Sequence, residues 1–251
     1  MAGHSQFKNI MYRKGAQDAK RARLFAKIIR EITVSGKESP DPDSNPRLRS
    51  AIADARTNNM PKDTIERALK KATGSANDTH YEDVRYEGYG PSGVAIIVDA
   101  LTDNRNRTAS DVRSAFSKYG GNLGESNSVA FMFDRMGCFT YPLSLGNEEH
   151  VFETALTVGA EDVKVHAENY AIFCTADTFH QVRDDLEKKV GSPESSGLQW
   201  IAKSPAEITD ADIARKVLRL IDALEESDDV QSVSTNMHLS DAVVAVLNEA
   251  H

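Results

Sequence analysis

Hydrophobic residues recur at helical spacing near the start of the chain. The i, i+3, i+4, i+7 pattern predicts an amphipathic helix from Gln17 to Val34, with a buried stripe made of Phe25, Ile28, Ile29 and Ile32. At roughly 100° per residue, the opposite face of this helix carries Lys20, Arg23, Lys27 and Arg30. Gly36 is expected to end the helix, because glycine favours the backbone conformation of a helix C-terminus.

Two shorter helices are predicted after it. Asn45 followed by Pro46 combines an N-cap residue with the proline that is common in a first helical turn. A third helix is expected to begin after Pro61 and to end at Gly74. The apolar faces of these two helices comprise Leu48, Ala51, Ile52 and Ala55 in the first, and Ile65, Ala68, Leu69 and Ala72 in the second. Together the three helices predict a small bundle, followed by a linker at residues 75–80.

Beyond this linker the pattern changes to a mixture of strands and helices. We predict a strand at Val94–Leu101, a helix at Thr108–Tyr119 and a strand at Ser128–Phe133. From Cys138 onward the predicted order is strand (138–142), helix (148–158), strand (162–166), strand (169–175), helix (178–190) and strand (197–202). This β-α-β-β-α-β order is typical of a ferredoxin-like unit.

A final helix at residues 210–225 and a strand at residues 230–235 are too few elements to fold alone. We therefore expect them to complete the sheet that begins within residues 81–133. The predicted fold is a multi-domain α+β chain, with an N-terminal three-helix domain and two α/β domains, the third ferredoxin-like and inserted into the second. The predicted domains are residues 1–75, residues 81–135 together with 205–251, and residues 136–204.

Composition excludes several classes of protein. Of the 251 residues, 40% are hydrophobic, and no apolar run approaches the roughly 18 residues that a membrane-spanning helix needs. Two cysteines, Cys138 and Cys174, are too few for a disulfide scaffold, and we expect them to lie as reduced neighbours on adjacent antiparallel strands. A soluble cytoplasmic protein that does not bind membranes is expected.

The net charge of −8 conceals a strong asymmetry. Residues 1–75 contain 16 Lys and Arg against 8 Asp and Glu, whereas the rest of the chain contains 14 against 30. The positive charge of residues 1–75 could simply belong to a solvated helix surface. Because it is so one-sided and is attached to an acidic body, we favour the interpretation that this segment binds a partner with a phosphate backbone.

Motifs for catalysis and cofactor binding are absent or occur in the wrong context. The glycines of Gly88-Tyr-Gly-Pro-Ser-Gly93 match G-x-G-x-x-G, but a strand follows them where a dinucleotide site needs a helix, so a turn is the better interpretation. His166-Ala-Glu168 resembles the H-x-E of zinc deaminases, yet the chain has no P-C-x-x-C. We expect no cofactor, no metal and no enzymatic activity.

The segment Thr102–Thr108 contains two arginines, Arg105 and Arg107, and two asparagines. These side chains could contact phosphates or bases, or they could cap the following helix and pair with the acidic body. The sequence leaves both alternatives open.

Several longer runs resemble the YebC family of proteins. They include Ala16-Gln-Asp-Ala-Lys-Arg21, Asn45-Pro-Arg-Leu-Arg49, Asn59-Met-Pro-Lys-Asp-Thr-Ile-Glu-Arg67, Tyr86-Glu-Gly-Tyr-Gly-Pro-Ser-Gly-Val94 and Leu101-Thr-Asp-Asn-Arg-Asn-Arg-Thr108. The resemblance covers essentially the whole chain and is looser over residues 136–200. Phe7 stands where the family usually has tryptophan.

The resemblance implies a three-domain cytoplasmic protein that regulates gene expression. Family members are described as DNA-binding transcriptional regulators, and others, including a mitochondrial relative, as translational activators or as factors for ribosomes stalled on proline-rich stretches. The expected partner is thus DNA or, alternatively, ribosomal RNA on the ribosome, with a monomer favoured. The expected nucleic-acid-binding residues are Lys8, Arg13, Lys14, Lys20, Arg21, Arg23, Lys27, Arg30, Arg47, Arg49, Arg105 and Arg107.

Overall fold

The computed structural model describes residues 17–74 and 80–249, in which helices and strands follow most of the predicted order. The first elements are α1 (Gln17–Glu38), α2 (Pro46–Thr57), α3 (Lys62–Thr73), β1 (Glu82–Tyr89), β2 (Ala95–Thr102), α4 (Arg105–Lys118) and β3 (Asn122–Leu123). They are followed by β4 (Phe133–Pro142), α5 (Glu148–Thr157), β5 (Asp162–Val165), β6 (Asn169–Thr175), α6 (Phe179–Val190) and β7 (Ser195–Ala202). The last are β8 (Ala206–Ile208), α7 (Ala211–Glu225), β9 (Val230–Thr235), β10 (Met237–Leu239) and α8 (Asp241–Glu249).

The predicted fold class, a multi-domain α+β chain with three N-terminal helices, is confirmed. The chain forms two compact units. Of the described residues, unit 1 comprises 17–23, 80–134 and 200–249, and unit 2 comprises 24–74 and 135–199. The division into three domains stays a prediction, since residues 24–74 and 135–199 belong to one unit here.

Unit 2 contains the core of the predicted helical bundle. Ile32, Leu48 and Ala55 are fully buried, as the apolar spacing predicts. The prediction that Gly36 ends the first helix is wrong, because α1 continues to Glu38. A Cβ atom on Gly36 would lie only 2.9 Å from the Cβ of Ala72, so glycine here permits α1 and α3 to pack closely instead of ending the helix.

Asn45 joins the first two helices, and its predicted role as N-cap of α2 is confirmed. Its Oδ1 accepts a hydrogen bond from the backbone N–H of Leu48 at 3.0 Å. Its Nδ2 donates to the carbonyl oxygens of Ser35 and Ser39, at 2.7 and 2.8 Å. One buried amide therefore satisfies backbone groups at the end of α1 and at the start of α2.

The second part of unit 2 has the topology of the predicted ferredoxin-like unit. The sheet has the strand order β5-β6-β4-β7, and both β4 and β5 pair antiparallel with β6. Phe139, Tyr141, Ile172 and Leu186 are fully buried in the core that the sheet forms with α5 and α6.

The two cysteines lie beside each other in this sheet but on opposite faces. Cys174 pairs with Gly137, whereas Cys138 pairs with Phe173, one position further along β4. Because successive residues of a strand point to opposite faces, the Cys138 side chain points away from the face that carries Cys174. Both are buried, and no disulfide joins them.

We expect both thiols to stay reduced and to react slowly in the folded protein. Burial raises the pKa of the Cys174 thiol, which reduces its thiolate fraction at neutral pH. Titration with a thiol reagent should label little of the native protein and two thiols per chain after denaturation. Failure to detect thiols in the unfolded chain would contradict the placement of the cysteines on opposite faces.

Unit 1 is built on a four-stranded sheet with the order β3-β1-β2-β9. The expected return of the C-terminal strand to this sheet is confirmed, since β9 pairs antiparallel with β2, with Val98 opposite Val233. Every residue of β2 except Asp99 is buried, because α4 and α7 cover one face of the sheet and a cluster around Trp200 covers the other. The last two glycines of the G-x-G-x-x-G motif, Gly90 and Gly93, lie in the expected turn between β1 and β2, whereas Gly88 is still part of β1.

The predicted strand at Ser128–Phe133 is wrong, because residues Ala130–Met132 form a 3₁₀ turn and β4 begins only at Phe133. The reason is the buried carboxylate of Glu87 on β1. It accepts hydrogen bonds from the backbone N–H groups of Asn127, Val129 and Ala130, at 3.0, 2.9 and 2.8 Å. Backbone donors bound to a carboxylate in this way do not bond a neighbouring strand.

We expect the change Glu87→Gln to destabilise the protein by about 1.5–3 kcal/mol at neutral pH, the usual worth of hydrogen bonds to a charged group. Burial alone would raise the pKa of Glu87, but the three backbone donors and the Arg85 guanidinium, 2.9 Å away, lower it below its usual range. A carboxyl group whose pKa is lowered by folding stabilises the folded state at pH values above the ordinary glutamate pKa, about 4.3. This contribution disappears as the pH falls through the pKa that Glu87 has in the folded protein.

Urea unfolding of both proteins across the acid range measures this difference, which should shrink at low pH. The change Glu82→Gln is the matched control, because Glu82 is an exposed glutamate on the same strand. Equal effects of the two substitutions at neutral pH would contradict the role of Glu87.

Candidate nucleic-acid interface

The structure describes the side chains of eight of the twelve predicted binding residues. Lys8, Arg13 and Lys14 lie outside the described residues, and for Lys20 only the backbone position in α1 is described. The remaining eight fall into three groups, which lie along α1, around the start of α2, and at the start of α4.

The basic residues of α1 follow the side of the helix that the core does not occupy. Arg21 is exposed, and Arg23, Lys27 and Arg30 are half-buried, whereas Ile28 and Ile32 are buried. The Arg23 guanidinium lies 3.6 Å from the Glu226 carboxylate, and both side chains are largely accessible to water. An exposed ion pair of this kind contributes little to stability, so a phosphate can replace the carboxylate at small cost.

Arg47 and Arg49, near the start of α2, both bind carboxylates. The Nε and Nη2 atoms of Arg47 donate to the two carboxylate oxygens of Glu31, a bidentate pair that links α2 to α1. Arg49 donates through Nη2 to Asp184 at 2.9 Å and through Nη1 to the carbonyl oxygen of Pro42 at 2.8 Å. The two pairs are about equally exposed, since the Arg47 and Glu31 side chains are 33% and 29% accessible and those of Arg49 and Asp184 are 35% each.

In the segment before α4, capping and pairing within the fold are seen for Asn104 and Arg107. Asn104 caps α4, accepting from the Arg107 N–H at 3.1 Å. The Arg107 guanidinium donates to Asp103 at 2.9 Å and to buried Asp229 at 2.7 Å. Hydrogen bonds to Asp229 above all raise the pKa of Arg107. Arg107 is therefore paired within the fold although its side chain is 48% exposed, and the side chain of Arg105 is exposed as well.

Several basic residues outside the predicted set share these surface properties. In the last turns of α2 and α3, Arg56, Lys70 and Lys71 are exposed. The signal for them was present in the charge count of residues 1–75, but on α3 the acidic residues Asp63 and Glu66 obscured the contribution of Lys70 and Lys71. We include these three residues in the candidate interface.

The described part of the chain contains neither a candidate metal site nor a candidate membrane-spanning helix. Between residues 17 and 74 and between 80 and 249, no cluster of three His, Cys, Asp or Glu side chains could hold a metal ion. Over the same residues, none of the helices is both long and apolar enough to cross a membrane. The basic surface of the helical segment is thus the candidate site.

Comparisons with known proteins agree on one family. The model of the TACO1/YebC N-terminal domain matches residues 5–75, and that of the TACO1/YebC second and third domain matches residues 81–237. A probable transcriptional regulatory protein of Rickettsia bellii is 50% identical over 248 residues, which are 98% of this chain and 97% of the relative.

A solved structure agrees with this assignment. The crystal structure of a conserved hypothetical protein from Aquifex aeolicus superposes with a TM-score of 0.82 at 45% identity, covering 91% of this chain and 95% of the other. Because the matches extend over all parts of the fold, this chain belongs to the TACO1/YebC family.

Proposed function

We propose that this protein is a regulator of gene expression that binds nucleic acid through the helices of residues 1–75. One observation carries the proposal: basic side chains stand on the outer surfaces of helices whose inner faces form a core. Arg21, Arg56, Lys70 and Lys71 are exposed, whereas Ile32 and Leu48 are fully buried. Cations presented on a packed scaffold bind the regularly spaced phosphates of a nucleic-acid backbone.

The family relative supports the regulatory part of the proposal, since the Rickettsia bellii protein is named a probable transcriptional regulatory protein. We assign the present chain a binding role in the cytoplasm and not a catalytic one. Its acidic remainder, with 30 Asp and Glu against 14 Lys and Arg, is repelled by phosphate, so the contact is expected to be confined to the basic segment.

Ribosomal RNA is the second candidate target, and the outer surface of α3 favours it. A helix that reads DNA bases usually aims Arg, Asn or Gln at base edges. On α3 the Arg67 guanidinium instead bonds its own helix, at the carbonyl oxygen of Asp63 (3.1 Å) and the hydroxyl of Thr64 (3.2 Å), and Lys62 lies 3.7 Å from Glu66. Such a surface suits docking on phosphates and helix shape, which is how structured RNA is recognised.

Cross-linking in cells followed by sequencing of the bound nucleic acid tests the proposal and separates its two forms. Enrichment of promoter DNA would identify a transcriptional regulator, and enrichment of ribosomal RNA would identify a translation factor. Recovery of no nucleic acid above the level of a variant with the α1 charges reversed would refute the proposal.

A further inference from the structure

In unit 2, helices α2 and α6 face each other through polar side chains. Arg49 and Asp184 form an ion pair of 2.9 Å, and each side chain is 35% exposed, so solvent and ions reach the pair. Arg49 belongs to the predicted nucleic-acid-binding set, and Asp184 is a carboxylate supplied by the acidic part of the chain. Here α2 thus presents a cation that attracts a polyanion, and α6 presents a carboxylate that repels it.

Two further contacts hold the same helices together without Arg49. The guanidinium of Arg183, which is 4% exposed, donates to Asp54 at 3.0 Å, and Ser50 bonds the Nδ1 of His180 at 3.2 Å. Burial of Arg183 makes its pair with Asp54 the more costly one to break. The Arg49–Asp184 pair can therefore open while α2 stays docked on α6.

The surroundings of Arg49 oppose an incoming anion. A pocket of about 400 Å³ beside the pair is lined by Asp43, Arg49, Asp184, Glu187 and Lys188, three carboxylates against two cations. Carboxylate and phosphate oxygens both accept hydrogen bonds from a guanidinium in the same planar geometry. Asp184 consequently occupies the position on Arg49 that a phosphate oxygen would need.

We infer that Asp184 competes with nucleic-acid phosphates for Arg49, so that this arginine exchanges its carboxylate for a phosphate on binding. The inference rests on the proposed function, and it says that Asp184 weakens nucleic-acid binding at that same site. The ion pair present in the free protein lowers the affinity for nucleic acid. It also reduces the contribution of Arg49 to the salt dependence of binding, because the Asp184 carboxylate that a phosphate displaces takes up a cation from solution.

The change Asp184→Asn in the full chain tests this competition, with a short mixed-sequence DNA duplex and an RNA duplex of the same sequence as probes. We expect tighter binding by up to about fivefold, the range for a half-exposed ion pair. The slope of log affinity against log salt concentration should become steeper by up to about one, since each phosphate contact contributes roughly −0.9. The melting temperature should stay nearly unchanged, because the Arg183–Asp54 pair remains.

Two controls distinguish competition from a general change in charge. Asp177→Asn removes the same charge from an exposed residue just before α6 and should have a smaller effect on affinity. In an Arg49→Ala background, Asp184→Asn should no longer tighten binding, because its effect acts through Arg49.

A gain equal to that of Asp177→Asn, or one that persists without Arg49, would overturn the inference. If neither the wild-type chain nor any variant binds either duplex or cellular nucleic acid, the proposed function itself fails, and the inference fails with it.

Discussion

Removal of residues 205–251 will leave a chain that aggregates. The deletion takes away β9, the strand beside β2, and α7, whose Val217, Leu220 and Leu224 are buried in the core of unit 1. It would expose Ile96 and Val98 on β2 and their neighbours to water. Exposure of each large apolar side chain costs about 1.5–3 kcal/mol, so a few of them rival the total stability of a domain, roughly 5–15 kcal/mol.

The matched deletion is internal and should leave a soluble protein. The predicted domain boundaries would make this a deletion of residues 136–204. Two residues of that range, Trp200 and Ala202 on β7, belong to the core of unit 1, where they pack in a cluster with Ile97, Val129 and Phe133. The indole N–H of Trp200 also donates to Asp99 at 3.1 Å. The deletion should therefore span residues 135–199, which keeps this cluster intact.

A short Gly/Ser linker can close this gap, since its two ends lie close together. The Lys203 ammonium is 3.1 Å from the Asp134 carboxylate, and the Lys203 backbone N–H donates to Met132 at 2.9 Å. The deletion exposes a face of α2 that carries Arg49, Ser50 and Asp54, and such polar groups tolerate water. Solubility and thermal melts of the two deleted chains decide the matter. A C-terminally truncated chain that melts cooperatively would show that residues 80–134 fold without β9.

Charge reversal on α1 has the largest expected effect on binding. The variant with Lys20, Arg23, Lys27 and Arg30 changed to Glu should lose nucleic-acid affinity by at least about a hundredfold at moderate salt, because four cations become anions beside the phosphates. If the wild-type protein contacts about six phosphates, its slope of log affinity against log salt should be roughly −4 to −6, and that of the variant much shallower. Helicity should stay near normal, since the buried stripe at Ile28 and Ile32 is unchanged.

A charge reversal of the same size on α4 and α7 distinguishes the loss of direct contacts on α1 from the effect of the changed net charge. The control variant has Arg113, Lys118, Lys216 and Arg219 changed to Glu, all exposed residues on α4 and α7 that carry the same total charge. It should keep most of the affinity and most of the salt dependence. Equal losses in both variants would show that α1 is not the binding surface, and filter binding or fluorescence anisotropy across salt concentrations measures both.

The local pattern of the sequence predicts most elements of this protein. Asn45 and Pro46 start α2 where capping chemistry places them, and the amphipathic spacing of α7 matches its buried face. These features depend on residues a few positions apart, so a linear pattern contains them. The position of the basic surface also follows from sequence, because 16 of the 30 Lys and Arg lie within residues 1–75.

The features that the local pattern does not predict depend on contacts between residues that are far apart in the chain. Glu87 turns residues 127–130 away from a strand, and Ala72 explains why a glycine can remain inside α1. The arginines show the same dependence. Arg105 and Arg107 both have exposed side chains, and Arg107 is in addition bound to Asp229, 122 positions later in the chain. A sequence shows which side chains are cationic, but a cation is available to phosphate only if the fold brings no buried carboxylate to it, and that depends on tertiary packing.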